Sequence, residues 1–339
     1  MRRLIVATLG LAVVAACFAF VLPRIADYGA AWHVIERLSV PQVGLLGLAV
    51  ILNLVTFAPS WMVAIPGLGF GRAFVVTQAS TASTYIAPGG AAVGVALSYA
   101  MLRRWGFTVG QVGLAAAVTG IWNQLALLGF PVVGLALLTV KKEQDALLQS
   151  VALLGLVVFA LAVGAFAAAL GTERLSRRMG DACARAVNWV MRRIGRRHVG
   201  WSGESFVRFR SSAIELLRRG WHFLTIATLA GQLTVFLLFL ISLRVLGVSS
   251  HEVSAVEAFS AWALVRLLGS LPITPGGIGI VEVGMTTALV GFGGHNAEVV
   301  AAVLLYRFLS IVPTLMLGLA AGVIWRRLAP DASRTAPSH

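Results

Sequence analysis

At 339 residues, with 58% hydrophobic and only 12% charged, the chain is too apolar for a soluble domain, which carries about twice that share of charge. Its net charge of +14 comes from 27 basic residues, 25 of them arginine, which flank apolar runs and form no domain of their own. That pattern argues against nucleic-acid binding and for positive-inside topology with attraction to anionic lipid headgroups.

In chain order, the N-terminus comes first. MRRLIVATLGLAVVAAC has a basic start, an apolar run and a lipobox-like Val14-Ala15-Ala16-Cys17. The run continues through FAFVL, where a mature lipoprotein turns polar, so residues 4–22 read as an uncleaved first span. An amphipathic linker at 23–41 follows, then spans at 42–64, 108–139, 146–170, 221–246 and 299–325, each reaching the ~20 apolar residues that a crossing takes. A basic amphipathic segment, 171–219, separates the fourth span from the fifth. Within it, RRMGDACARAVNWVMRRIGRR has the pattern of an interfacial helix.

Two apolar stretches do not fit this count. Residues 73–102 are interrupted by APGG at 87–90, and 258–292 by PITPGG at 272–277. Two full crossings take ~40 residues, so each stretch reads as a re-entrant helical hairpin, buried in protein or lining a wet cavity. With the N-terminus inside and both hairpins returning to their side of entry, 20 of the 27 basic residues are cytoplasmic. If the first hairpin crossed once instead, the twelve arginines of 171–219 would lie outside, against the positive-inside rule.

The expected fold is therefore an all-α polytopic membrane protein of about six spans plus two hairpins, arranged as an inverted-topology repeat. Residues 1–140 form the first repeat, 141–328 the second and 329–339 a short polar tail. YIAPGGAAVGV (85–95) parallels PITPGGIGIVE (272–282) across the repeat.

The candidate binding residues sit at the breaks. A helix that starts at a PGG tip presents unpaired N–H groups and a positive dipole end, which suits an anion. Pro88, Gly89 and Gly90 mark the first tip, and Thr274, Pro275, Gly276, Gly277 and Gly279 the second. These glycines either admit a phosphate to the backbone or let helices pack closely. Arg266 and Glu282 lie about eight residues on either side of the second tip, which puts them at one level of a hairpin and within pairing reach. Arg307, in the last span, is a third ionisable group able to join them. The first half has only neutral groups at matching depth: Gln78, Thr81, Ser83, Thr84, Asn123 and Gln124 read mostly as hydrogen-bonding glue between helices.

Other chemistry is not signalled. GLGFG at 67–71 has no preceding strand and no Lys-Ser/Thr after it, so no nucleotide site is expected. The six scattered histidines lack metal-ligand spacing, Cys17 and Cys183 form no framework, and no nucleophile set is readable, so no metal, cofactor or enzyme activity is expected.

The segments LPITPGGIGIVEVGMTTAL (271–289) and VAAVLLYRFLSIVPTLMLG (300–318) resemble the flippase-like transmembrane region of the lysylphosphatidylglycerol synthases, found also as a stand-alone protein. The resemblance rests on Pro275, Gly276, Gly277, Gly279, Glu282 and the distant Arg307. It implies movement of a phospholipid or lipid-linked headgroup between leaflets of a bacterial cytoplasmic membrane. The aminoacyl-transfer domain of full synthases follows the membrane region, and this chain ends some dozen residues past its last span, so it is not expected to make aminoacyl lipid. Two other readings stay open: a non-transporting accessory subunit for a lipid- or glycan-modifying enzyme, and a small-solute secondary transporter.

Overall fold

The computed structural model describes residues 36, 38–86, 90–141, 146–193, 203–271 and 274–325. The expected first span, 4–22, the residues Pro88 and Gly89 of the first break, and the tail 329–339 lie outside them. Among the described residues every regular element is helical.

Local signals set the boundaries. Helix α1 (Val40–Thr56) starts where Ser39 and Gln42 hydrogen-bond each other, with a proline in its first turn. A second proline-initiated helix, α2 (Ala58–Ala64), follows directly, so residues 40–64 traverse as one broken unit. Then come α3 (Phe70–Ile86), α4 (Gly90–Arg104) and the long α5 (Val109–Lys141). After α6 (Ala146–Gly171), the basic segment folds as the amphipathic α7 (Glu173–Arg193). Helix α8 (Gly203–Val245) is kinked at Gly220, where the apolar span was expected to begin. Helix α9 (Ala255–Gly269) opens on a reciprocal box between Ser254 and Glu257. A 3₁₀ turn (Pro275–Gly277), α10 (Ile280–Phe292) and α11 (Asn296–Ile324) complete the chain.

Among the described residues four units are long and apolar enough to cross a membrane: 40–64, 109–140, 207–245 and 296–324. Their outward faces, and that of α6, carry exposed Leu48, Ile51, Leu154, Leu161, Ile226, Met316 and Val323. A surface this apolar suits hydrocarbon, not water. The chain is a multi-pass membrane protein.

Both interrupted stretches are indeed pairs of packed antiparallel helices, α3 with α4 and α9 with α10. Helix α11 serves as a ruler for their placement. Near its start, Val299 packs against Gly294, at the base of α9–α10. Eight residues on, Arg307 meets the tip of that pair. Further along, Gly318 abuts Gln78 and Ala82 of α3, and Trp325 lies under the Arg104 guanidinium at the base of α3–α4. The two pairs therefore point toward each other along a rise of about 40 Å. Their tips touch, since the backbone at Gly276 presses on the Tyr85 ring.

Contacts between the halves are reciprocal. The first arm of the first pair, α3, packs on α11, the span after the second pair. The first arm of the second pair, α9, packs on α5, the span after the first. Ser260 of α9 donates to the Gly134 carbonyl of α5 at 2.9 Å. Helices α1 and α8, which precede the two pairs, pack on one another. Each pair has its own apolar core. One is built on Trp105, Phe107, Met101 and Ile65, the other on Trp262, Phe239, Met285 and Leu243.

Candidate functional site: a cavity between two helix tips

The second tip is held open by backbone that only glycine adopts freely. Gly276, Gly277 and Gly279 have φ of 59°, 67° and 87°. A Cβ on Gly276 would strike Tyr85, and one on Gly277 would come within 2.9 Å of the Gly269 carbonyl. Gly90 and Gly94 similarly face the α3 backbone at Ser83 and Ser80. Turn geometry and close packing account for the contacts these glycines make within the protein.

Glu282 lies in the first turn of α10, where its carboxylate accepts the Gly279 N–H at 2.6 Å. Its other oxygen pairs with Arg307 Nε, and Arg307 Nη2 donates to the Gly276 carbonyl at 2.9 Å. Glu282 and Arg307 are 4% and 5% exposed, so the pair is a closed unit that ties the turn to α11.

The expected pairing of Arg266 with Glu282 is thus overturned. Arg266 turns to α8, donating to Gln232 Oε1 at 3.0 Å and stacking on Trp262, 5.2 Å from the ring centre. Gln232 in turn donates to Asn123, which donates to the Thr119 carbonyl. Symmetric spacing about a turn sets the level of two side chains but not their azimuth, and each residue step rotates a helix by 100°. Here Arg266 and Glu282 leave their hairpin in different directions.

Between the tips lies a cavity of about 470 Å³. Of the expected residues, Gly90, Arg266, Thr274, Gly276 and Arg307 line it, whereas Gly277, Gly279 and Glu282 do not; Pro88, Gly89 and the Pro275 side chain lie outside the described residues. Gln78, Thr81 and Thr84, expected mainly as glue, also face it, although Gln78 does bridge to the Leu54 carbonyl of α1 at 2.9 Å. Asn53, Tyr85, Ser270, Tyr306, Ser310 and Thr314 join them unforeseen. Asn53 was detectable as a lone amide within an apolar span, as was Gln232 behind Arg266. Tyr85 gave no signal, because only the contact between the two tips makes it part of the site.

A second ionisable cluster, Glu252, His295 and Glu298, sits at the base of α9–α10. His295 Nδ1 is 2.8 Å from Glu252. Hydrogen bonds from the Ser249 backbone and hydroxyl, and then His295, hold the Glu252 carboxyl below the usual carboxylate range. Sequence spacing concealed this group, whose members come from the loop before α9 and from the N-terminus of α11.

With tips, ion pair and cavity in view, the family match is specific. The model of the lysylphosphatidylglycerol synthase TM region family matches residues 7–318, nearly the whole chain. The chain belongs to this family. No curated protein matches it. Membership in the lysylphosphatidylglycerol synthase transmembrane family points to a membrane role connected with lipid.

Proposed function

We propose that the protein carries a lipid headgroup between the two membrane leaflets through the cavity where the hairpin tips meet. The observation that supports this reading is a cavity with a guanidinium and several amide and hydroxyl side chains in its wall, midway along α11 in a protein whose exterior is apolar. In this arrangement the headgroup occupies the cavity while the acyl chains stay in hydrocarbon. The hairpins are re-entrant from opposite faces, and the reciprocal packing of the halves supports an inverted repeat, the architecture in which a midplane site is exposed to each side in turn. Positive-inside topology puts both termini and the basic α7 on the cytoplasmic side of a bacterial-type inner membrane. The protein acts as a transporter, not as an enzyme. No nucleotide motif supplies energy, so it equilibrates leaflets or follows a gradient.

The test is translocation of fluorescent phospholipid by the purified chain in liposomes, read by quenching from outside. Wild type should expose inner-leaflet lipid faster than protein-free vesicles, and Arg266→Ala should slow it by at least about tenfold. Equal rates for wild type and empty vesicles would overturn the reading.

A further inference from the structure

The charges in the cavity are unequal, and the inequality selects a ligand. Three observations bear on it. First, the second tip already holds an anion of its own: the Glu282 carboxylate sits in the first turn of α10, accepting from Gly279 N–H and neutralised by Arg307. Second, the first tip has no such group among the described residues. Helix α4 begins at Gly90 and continues with Ala91, Ala92 and Val93, and its first residues, Gly90 and Ala91, open on the cavity. Third, Arg266 stands in the cavity wall with only the neutral Gln232 and the Trp262 ring as partners among the described residues. Among the described residues no Asp or Glu lines the cavity.

We infer that the cavity binds a headgroup of net negative charge, a phosphodiester without a compensating ammonium, held between the α4 N-terminus and Arg266. The ligand phosphate does for the first tip what Glu282 does for the second. Among the described residues no acidic side chain accepts from the first-turn N–H groups of α4, and a phosphate oxygen fits there. Arg266 supplies the guanidinium that Arg307 supplies opposite, and its planar donors suit phosphate. Thr274 Oγ1, buried in the lining with no hydrogen-bond partner among the described residues, adds a donor. A cationic, aminoacylated headgroup fits poorly: its ammonium finds no carboxylate among the described lining residues, because Glu282 lies outside the lining and is already paired, and it meets a second positive charge at Arg266. This rests on the transport reading only for how the lipid enters; the selectivity belongs to the site itself.

The experiment is equilibrium binding to the full chain in detergent, read by native mass spectrometry, with short-chain phosphatidylglycerol, phosphatidylcholine, lysylphosphatidylglycerol and soluble glycerol phosphate as probes. Phosphatidylglycerol should bind at least about tenfold more tightly than the lysyl form, with the zwitterion between them. Arg266→Gln should erase the preference. Ala91→Glu, which supplies the first tip with its own carboxylate at an exposed position, should weaken phosphatidylglycerol binding by a similar factor, and both variants should elute as the wild type does. Equal binding of the lysyl form, or an undiminished preference in Arg266→Gln, would overturn the inference. Should glycerol phosphate match the lipid and depend equally on Arg266, the ligand is a soluble anion and the lipid assignment falls. The same lipids are then compared for translocation in vesicles. Selective binding without movement removes the transport reading and leaves the site standing.

Discussion

At the residue scale, Glu282 and Arg307 have a different job from Arg266. The first two are buried and mutually neutralised, and they clamp the Gly276–Gly279 turn to α11. Removing one charge strands the other, which costs about 3–5 kcal/mol. Glu282→Gln and Arg307→Met should each lower the unfolding temperature strongly in detergent, followed by tryptophan fluorescence. The double variant Glu282→Leu/Arg307→Met should recover part of the loss, since no lone charge remains. It will not recover all of it, because the Gly276 carbonyl and Gly279 N–H still lose their partners. Arg266 is instead partnered by a neutral amide and a ring at the cavity edge, so Arg266→Gln should alter ligand binding far more than stability. The sequence identified all three residues, and Arg307 could be named as a partner. It could not reveal which arginine the carboxylate faces, because that depends on helix rotation.

At the element scale, the breaks were legible because proline and glycine clusters inside long apolar runs have few other meanings in a membrane. The packing partners of the arms were not. Gly134 and Gly318, which let α9 and α3 approach α5 and α11, look like any other of the 36 glycines until the neighbours are known. The kink at Gly220 falls between both cases, since the change from basic to apolar sequence predicted a boundary there but not a continuous helix through it. Glycines therefore divide into those a methyl group would jam and those it would not. Gly276→Ala meets both a positive φ and the Tyr85 ring and should destabilise by about 1–3 kcal/mol. Gly113→Ala, in α5 with open space around it, should be neutral or stabilise by up to about 1 kcal/mol. Thermal unfolding of the two variants side by side checks the contrast.

At the scale of the whole molecule, the bases of the two hairpins lie at opposite ends of α11, so they should face opposite sides of the membrane. In a background lacking Cys17 and Cys183, cysteine at exposed Thr108, beside the first base, should react with an impermeant maleimide only after the cells are opened. Cysteine at exposed Ser250, beside the second, should react in intact cells. Labelling of both from one side would contradict the opposed arrangement. One further property follows from the ruler helix. Pro313 lies in α11 between Arg307, which grips one hairpin, and Gly318, which rests against the other. Lacking an N–H, it leaves the carbonyl four residues earlier without its rung, and the rod is softest there. Either end of α11 can thus flex without dragging the hairpin fastened to the far end, as two oars sharing one pivot can be pulled separately.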